Sequence, residues 1–424
     1  MSLAHIVSTD FDHARNRLTV TVVVPHLTDI ILDQDLTLRP SVILREIDMK
    51  TGDPFSLNKV IESLENLYGT NFFEWVYADV EPDGDGARLF IHVKEKKWLV
   101  ARFGLRFDET YHTKGRIALS RENILGLGNQ FSAILGASER SRLLLAESRS
   151  SRIFRSYYTY TIGAYRNYRL RFLYDGHSVS EDYGDDRYGA VFSVGQHMDK
   201  LGNALLQFKT ETLLITTGPK DKLEGTHKEL RSIIIRSLID SYDRYPFPKN
   251  GLLNLMYVET TSEILGGTDQ FVKLFWEASM CRTFARQHTV IGSFFLGSAD
   301  PSIPDIETFT LGGSPTRLNC YDWESSGAHY FADFPGLADE EKWGNRLATA
   351  SVGYRLFIPR LFYLDLTYSM GNVWEKVQTI TSKSLLQGFG VRGSFATLGG
   401  PVSIGWGITS KGDERVYLSA GREF

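Results

Sequence analysis

Two kinds of hydrophobic pattern divide the chain near residue 97. In residues 1–97, alternating stretches such as LTVTVVV (18–24) and FFEWVYADV (72–80) flank an apolar helical stripe that includes Val60 and Leu64. From about residue 98 the helical period disappears, and apolar residues alternate with small or polar ones in segment after segment. A period of two is typical of strands with two different faces. The pattern predicts a small α+β domain followed by a long all-β region.

The first region predicts a compact order of elements. Strands are expected over 18–24, 28–35 and 72–80, helices over 41–49 and 56–68, and a return strand over residues 89–93. Ser56 is placed to cap the second helix and Gly69 to end it. The second helix carries its apolar stripe on Val60, Ile61, Leu64, Leu67 and Tyr68. From residue 27 the order is strand–helix–helix–strand–strand, enough for one small core.

The second region predicts strands whose two faces differ. Phe362, Leu364, Leu366 and Tyr368 share one face, and Tyr363, Asp365, Thr367 and Ser369 share the other. Local alternation suits a soluble sandwich as well as a membrane barrel. There are roughly sixteen such segments of about ten residues, the length of a tilted membrane strand, and no helices between them to cover so large a sheet. We therefore predict a mainly β fold, a 16-stranded antiparallel transmembrane β-barrel preceded by the small α+β domain.

The connections between these strands are unequal in length. Short turns such as residues 126–129 alternate with longer polar stretches, of which the longest covers about 297–343. Long loops on one side are typical of outer-membrane barrels.

Composition narrows the classes of function. The 424 residues include 47 Lys and Arg against 51 Asp and Glu, a formal net charge of −4, so no basic footprint for nucleic acid is present. No run of about 18 apolar residues occurs, which excludes a protein that crosses a membrane with helices. The 12% aromatic content and 38 glycines suit long antiparallel strands with aromatic girdles.

The sequence lacks motifs for covalent chemistry. It contains neither G-x-S-x-G nor H-E-x-x-H. Cys281 and Cys320 lie far apart, so no metal site and no cofactor are expected. Asp83 to Gly86 favour a hairpin turn over a calcium loop. A basic cluster suits solvated or lumenal arginines, with lipopolysaccharide phosphate as the alternative contact. Its members are Arg140, Arg142, Arg149, Arg152 and Arg155.

Two motifs resemble one family of outer-membrane proteins. The stretch DSYDRYPFPKNG (240–251) would fit any hairpin, but it is similar to the D-x-x-D-x-x-x-F-P-x-x-G signature of the BamA/TamA superfamily of assembly and secretion barrels. The matching residues are Asp240, Asp243, Phe247, Pro248 and Gly251. A second stretch, with Phe309, Gly312 and Gly313 followed by Arg317, looks like the F-x-L-G-G loop of the same family. Residues 27–97 resemble its POTRA module.

The end of the chain extends the resemblance. Val416, Leu418, Ala420 and Phe424 are similar to the terminal signal by which such barrels are recognised for insertion. Residues 369–374 (SMGNVW) resemble the family's D-x-G-N-V-W, with Ser369 where the family has an aspartate. Asp365 lies four residues earlier on the same strand face and is the expected substitute.

The resemblance implies a role for the long loop. In this family the loop folds back into the barrel, and its arginine meets acidic groups on the inner wall. A guanidinium in a partly dehydrated lumen needs such partners. Arg317 is therefore expected to pair with Asp365, or with a neighbouring inner-wall group such as Ser369. The alternative is that Arg317 is a solvated loop arginine.

The expected organisation has three parts. Residues 1–26 are a connector or the end of a preceding module, 27–97 a periplasmic POTRA-like domain, and 98–424 the barrel. The resemblance implies an outer-membrane protein that translocates or assembles proteins, with the POTRA-like domain capturing extended segments by strand addition. The expected partners are outer-membrane lipids and lipopolysaccharide, unfolded or extended protein segments, and the assembly machinery that inserts the barrel itself.

Several alternatives stay open at this stage. No enzyme is expected in this segment, although the run from Lys94 to Trp98 looks most like barrels fused behind a patatin-like phospholipase. The main rival function is a passive outer-membrane pore or adhesin barrel with a periplasmic cap. A soluble all-β binding protein is the third possibility.

Overall fold

The computed structural model describes residues 5–12, 17–150, 152–153, 156, 158–197, 202–217, 226–313, 331–358, 362–375 and 381–422. The chain divides into two compact units. The first comprises residues 1–100, 121–130 and 152–156, and the second comprises 101–120, 131–151 and 157–424. Among the described helices, none has the length and apolar character needed to cross a membrane.

The chain begins with a two-stranded hairpin. Strand β1 (His5–Asp12) pairs antiparallel with β2 (Arg17–Val23). The sequence pattern predicted the second of these strands and missed the first, because HIVSTDFD alternates over too few apolar residues to stand out.

A small α+β domain follows. It consists of β3 (Leu27–Leu32), α1 (Pro40–Leu44), α2 (Leu57–Gly69), β4 (Phe73–Asp83) and β5 (Gly86–Glu95). The strands lie in the order β3-β5-β4, with β3 parallel and β4 antiparallel to β5. The predicted order of elements is therefore confirmed. Two local expectations were wrong: α1 ends at Leu44 rather than near residue 49, and the Ser56 side chain makes no capping hydrogen bond.

The core of this domain lies between α2 and the sheet. Leu67 and Leu89 are completely buried, and Val60 is nearly so. Ile61 and Tyr68, which the predicted stripe included, are 47% and 61% exposed. Each lies about 100° around the helix from the buried position before it, so they fall outside the face that α2 presents to the core.

Sixteen of the remaining strands form a closed barrel, as predicted. Its strands are β6 (Leu99–Asp108), β7 (His112–Ile124), β8 (Asn129–Ala137), β9 (Ser141–Ser150), β10 (Tyr158–Asp175), β11 (Ser178–His197), β12 (Asn203–Thr217), β13 (Thr226–Asp240), β14 (Asn250–Thr261), β15 (Phe271–Phe284), β16 (His288–Ala299), β20 (Arg346–Ile358), β21 (Phe362–Trp374), β22 (Leu386–Thr397), β23 (Gly400–Thr409) and β24 (Glu414–Arg422). Three short strands between β16 and β20 are β17 (Phe309–Leu311), β18 (Phe331–Ala332) and β19 (Lys342–Gly344), and they form a separate sheet.

The two faces of the barrel wall follow the predicted alternation. On β21, Asp365 and Ser369 are buried in the interior, whereas Leu366 and Tyr368 are exposed on the outer surface. On β23, Ile404 is 60% exposed and its neighbour Ser403 is buried. The apolar face thus points outward, the arrangement of a membrane barrel rather than of a soluble sandwich.

The connections lie at two rims. We call the end where β6 begins the first rim and the end where β6 ends the second rim. Because the strands alternate in direction, the turn at 241–249 lies at the first rim, and the long connection between β16 and β20 lies at the second. This connection covers 300–345 rather than the predicted 297–343, since Gly297 and Ser298 still pair with Leu347 and Arg346.

Candidate functional site in the lumen and seam of the barrel

The long connection at the second rim packs inside the barrel. Its described parts, residues 300–313 and 331–345, are called here the lumenal segment. Strand β17 pairs parallel with β18 and antiparallel with β19. Phe309, Leu311 and Leu337 are completely buried and belong to one apolar cluster with wall residues such as Leu255 and Phe275. The described part of the connection therefore fills space in the lumen.

Two glycines of the family motif allow this packing. Gly312 and Gly313 have φ angles of 130° and 98°, which side chains other than that of glycine rarely adopt. A Cβ atom on Gly312 would also collide with the carbonyl oxygen of Ala338. Phe309, the first residue of the motif, stacks on Phe275 of β15 with 6.1 Å between ring centroids. The motif thus builds the turn that carries the chain from β17 against residues 337–338.

Glu307 fixes the lumenal segment to the barrel wall. Its carboxylate accepts a hydrogen bond from the Arg187 guanidinium at 2.5 Å, and its backbone carbonyl accepts one from the Lys273 ammonium at 2.6 Å. Arg187 is also bonded to Asp185 on its own strand, at 2.7 Å. The side chains of Arg187 and Glu307 are 2% and 3% exposed. Charges buried to this extent need such close partners.

Arg171 makes a second attachment. Its Nε donates to the Glu340 carboxylate at 2.8 Å, and its Nη1 donates to the carbonyl of Ile306 at 3.1 Å. The guanidinium also lies 4.3 Å from the ring centroid of Trp343. One wall arginine therefore holds residues from both described parts of the lumenal segment.

Asp365 lies on the inner wall, as predicted, and is bonded to two wall arginines. Its carboxylate accepts from Arg355 Nε at 2.7 Å and from Arg392 Nε at 3.0 Å. Both arginines are its direct cross-strand partners, on β20 and β22. Asp365 and Ser369 line one cavity of about 200 Å³, together with Asp333 of the lumenal segment.

The predicted partner of Asp365 lies outside the described residues. Arg317 belongs to 314–330, so its pairing stays a prediction. Ser369 forms a hydrogen bond with Ser351 of β20, with 2.9 Å between the hydroxyl oxygens. Sequence reasoning missed Arg355 and Arg392, although Arg355 shares the inward face of β20 with Ser351.

The signature residues 240–251 build the first-rim turn. Asp240 accepts from the Tyr245 hydroxyl at 2.5 Å, and Asp243 accepts from the Lys249 backbone N–H at 2.8 Å. Burial raises the pKa of the Asp243 carboxyl, but backbone N–H groups including that of Lys249 outweigh burial and lower it. Gly251 has a φ of 128° and leaves no room for a Cβ against Ser241.

The same turn reaches the Asp365 cluster. Phe247 is buried and stacks on Tyr363 with 4.0 Å between ring centroids, and Arg355 lies over the Phe247 ring at 5.2 Å. Arg355 also donates to the carbonyl of Pro248 at 3.4 Å. Phe247 and Pro248 therefore link the first-rim turn to the inner wall.

The barrel closes between its first and last strands through a short ladder. Among the described residues, β24 pairs with β6 through four residue pairs, from Ser419 with Asp108 to Arg422 with Leu105. The neighbouring ladder between β23 and β24 has seven pairs. We call the contact between β6 and β24 the seam. The seam is therefore the shorter of the two ladders that β24 forms.

The terminal residues lie beside this seam. Val416 and Leu418 are exposed on the outer face, 56% and 43%, and Ala420 pairs with Phe107 across the seam. Phe424 lies outside the described residues, so the insertion signal itself stays a prediction.

The basic cluster does not form one patch. Arg140 and Arg142 lie at the second-rim end of β9, whereas Arg149 lies at the other end of that strand. The predicted cluster was therefore wrong, because six strand residues lie between Arg142 and Arg149 along the wall. Arg155 lies outside the described residues. Among the described residues, no group of His, Cys, Asp or Glu is placed to hold a metal ion.

Comparison with known proteins agrees with this architecture. A profile of the Omp85 superfamily domain matches residues 123–424, and a POTRA profile, described as surface antigen variable number repeat, matches residues 25–96. A Treponema pallidum (strain Nichols) protein described as a "putative outer membrane protein assembly factor" is 32% identical over 126 residues. That match covers 27% of this chain and only 15% of the relative.

Two solved structures share the fold. A crystal structure of BamA from Haemophilus ducreyi lacking POTRA domains 1–3 has a TM-score of 0.77 at 13% identity, covering 99% of this chain and 90% of that one. CdiB from Acinetobacter baumannii has a TM-score of 0.61 at 11% identity, covering 98% of this chain and 77% of that one. Since the Omp85 profile matches more than two thirds of the chain, the resemblance to the BamA/TamA group is confirmed. The chain belongs to the Omp85 superfamily, an outer-membrane β-barrel whose POTRA domain lies in the periplasm.

Proposed function

We propose that this barrel assembles or translocates proteins by opening the seam between β6 and β24 to an extended protein segment. The observation that carries the proposal is the four-pair ladder. Across the seam, residues 101–104 of β6 and 414–418 of β24 have no partner strand among the described residues. Unpaired strand edges are templates for another strand, and backbone pairing supplies the affinity.

The filled lumen favours this function over a passive pore. Phe309, Leu311 and Leu337 of the lumenal segment are completely buried against the wall. A diffusion pore needs a water-filled channel, whereas lateral release of a segment leaves the lumen occupied. The Treponema pallidum relative is described as an outer membrane protein assembly factor, and BamA and CdiB share the fold, which supports a role in assembly or translocation.

The POTRA domain would capture the segment first. Its sheet has β4 at one edge, and β4 is eleven residues long. Trp75 and Tyr77 of β4 are 43% and 48% exposed, with 5.3 Å between ring centroids. We propose that an extended segment adds to this edge. A cysteine at Asp79 should then form disulfides with cysteines placed in an unfolded client barrel, and a cysteine at Tyr68 on helix α2 should not.

Arg317, in residues 314–330 of the long connection, would lock the lumen. Asp365, Ser369 and Asp333 line one cavity, which offers carboxylates to the Arg317 guanidinium. We propose that Arg317 enters this cavity. Asp365 already has two arginine partners. Arg317 would therefore be a third arginine beside Asp365 and not its first cationic partner.

The outer surface suggests two further kinds of partner, lipid phosphates and the machinery that inserts the barrel. Arg142 lies over the Tyr168 ring at 5.9 Å, near the second rim. We propose that Arg140 and Arg142 contact lipid or lipopolysaccharide phosphates there. The machinery that inserts this barrel would recognise Val416, Leu418, Ala420 and Phe424.

The preceding sequence is a separate proposal. Residues 1–26 would be a connector or the end of another module, and a patatin-like passenger would precede them. Any lipase chemistry would then belong to that passenger and not to residues 1–424. The reading frame upstream of Met1 decides this point.

Locking the seam tests the proposed function. Phe107 and Ala420 face each other across it, and residues opposite each other in an antiparallel ladder are close enough for a disulfide. In a background with Cys281→Ser and Cys320→Ser, the pair Phe107→Cys with Ala420→Cys should abolish client assembly when oxidised and restore it when reduced.

The control locks a ladder away from the seam. Phe395 and Val402 face each other between β22 and β23, so Phe395→Cys with Val402→Cys adds the same bond without closing the seam. Assembly should continue in the oxidised control. Full activity of the oxidised seam disulfide would overturn the proposal.

A further inference from the structure

The first part of β24 continues past the end of its neighbour. Strand β6 ends at Asp108, which pairs with Ser419, so residues 414–418 have no β6 partner in the described structure. Successive N–H groups of a strand point to opposite edges. The N–H of Leu418 points toward the seam, because its bond runs to a residue beyond β6 rather than to β23.

A side chain takes the place of the missing strand. The Glu109 carboxylate accepts a hydrogen bond from the Leu418 N–H at 3.0 Å. Glu109 comes directly after Asp108, the last paired residue of β6. Its carboxylate therefore stands where a longer β6 would offer its next carbonyl oxygen.

The turn around Glu109 is preorganised. Asp108 accepts hydrogen bonds from the N–H groups of Thr110 and Tyr111, at 3.1 and 2.7 Å. Burial raises the pKa of the Glu109 carboxyl, and the backbone N–H groups of Glu109 itself and of Leu418 oppose that shift. The other charged groups facing it are Asp108, which raises the pKa, and Arg415, which lowers it.

The inner face of the same stretch is held by the lumenal segment. The Tyr417 hydroxyl donates to the carbonyl of Leu337 at 2.8 Å and accepts from the Gly336 N–H at 2.9 Å. Asp413, just before β24, pairs with His177 at 2.5 Å. Side chains thus anchor residues 413–418 from the inside, and Glu109 covers their open edge.

We propose that Glu109 is a removable cap on the open edge of β24, which satisfies the Leu418 N–H while the seam is idle and gives way when an extended protein segment pairs with that edge. The inference rests on the proposed function. It adds that pairing begins at Leu418. The Leu418 N–H would exchange its hydrogen bond to the Glu109 carboxylate for one to a backbone carbonyl of the incoming segment.

Amide exchange at Leu418 tests the cap, measured on the whole barrel in detergent by fragmentation mass spectrometry. Glu109→Ala should speed exchange at Leu418 about tenfold or more, since the lost bond involves a charged acceptor. Glu109→Asp should do the same, because the shorter side chain fails to reach. Glu109→Gln keeps an acceptor oxygen and should retain the protection.

The control is Glu139→Ala in another second-rim turn. Glu139 is 69% exposed and pairs with His112 at 2.6 Å, so its removal should leave Leu418 unchanged. Heat-modifiable gel migration verifies that each variant folds, and Glu109→Asp and Glu109→Gln serve if Glu109→Ala does not. Equal exchange at Leu418 in the wild type and in Glu109→Asp would overturn the cap. This outcome is distinct from a failure of the proposed function, which the oxidised seam disulfide reports.

Discussion

Removing the Arg187 guanidinium should weaken the attachment of the lumenal segment to the barrel wall and lower the free energy of unfolding. This guanidinium contacts three carboxylates: Asp185 at 2.7 Å, Glu307 at 2.5 Å and Glu211 at 3.3 Å. The substitution Arg187→Met keeps much of the side-chain volume and removes the charge. Glu307 would then lose its charged hydrogen bond to the wall, and the lumenal segment would lose one of its attachments.

The size of the effect follows from burial. All four side chains are no more than 3% exposed, and removing one partner of a buried ion pair costs about 3–5 kcal/mol. Weaker contacts remain, since Arg171, Lys209 and Lys273 lie at 3.7, 3.7 and 3.8 Å from the three carboxylates. The free energy of unfolding should therefore fall by about 3–5 kcal/mol, toward the lower end of that range.

The same strand pair supplies a matched control. Arg166 of β10 forms a bidentate pair with Asp186 of β11, at 3.1 and 2.7 Å, but on the outer face, where the Arg166 side chain is 65% exposed. Among the described residues, this pair has no contact with the lumenal segment. Arg166→Met should therefore leave proteolysis of the lumenal segment unchanged and lower the free energy of unfolding less than Arg187→Met does.

Two readouts decide the matter. Urea unfolding followed by gel mobility gives the stability, and limited proteolysis between residues 300 and 345 reports release of the lumenal segment. Arg187→Met should be less stable and cut faster than Arg166→Met. Equal stability and equal cutting of the two variants would refute the ionic attachment.

Three further predictions concern the barrel as a whole. The folded barrel should resist SDS until it is heated, since closure leaves few strand edges to fray, and identical migration of boiled and unboiled samples would contradict this. Leu364→Arg places a charge on the lipid face and should hinder insertion by about 2–4 kcal/mol, whereas Thr367→Arg points into the lumen and should insert almost normally. If Arg317 contacts Asp365, then Arg317→Ala and Asp365→Asn should each speed proteolysis of the long connection. The double variant should then be cut no faster than either single variant. Strictly additive effects would show that the two residues do not contact each other.

The faces of the strands could be predicted because a period of two fixes them locally. Tyr363 and Asp365 point inward as the pattern requires. The overlap of the seam could not be predicted in this way. It depends on where β6 ends, at Asp108, and on the stagger of β24 beside it, and alternation carries no information on stagger.

The site was only partly predictable for the same reason. Asp365 could be placed on the inner wall, but its arginines required the register, which sets Arg355 and Arg392 directly opposite it. Glu307 and Arg187 are 120 residues apart in sequence. No local pattern joins them, and only the return of the connection into the lumen brings them together.

The central claim is that client strands pair with the open seam. Its most direct test is disulfide scanning between Phe103→Cys on β6 and single cysteines moved one residue at a time through the last strand of an unfolded outer-membrane barrel, with Cys281 and Cys320 replaced by serine. Phe103 is 75% exposed. Pairing predicts cross-links that peak at one client position and recur every second residue, and it predicts none from Phe192→Cys on the outer face of β11. Cross-links without periodicity, or of equal yield from both sites, would contradict strand pairing at the seam.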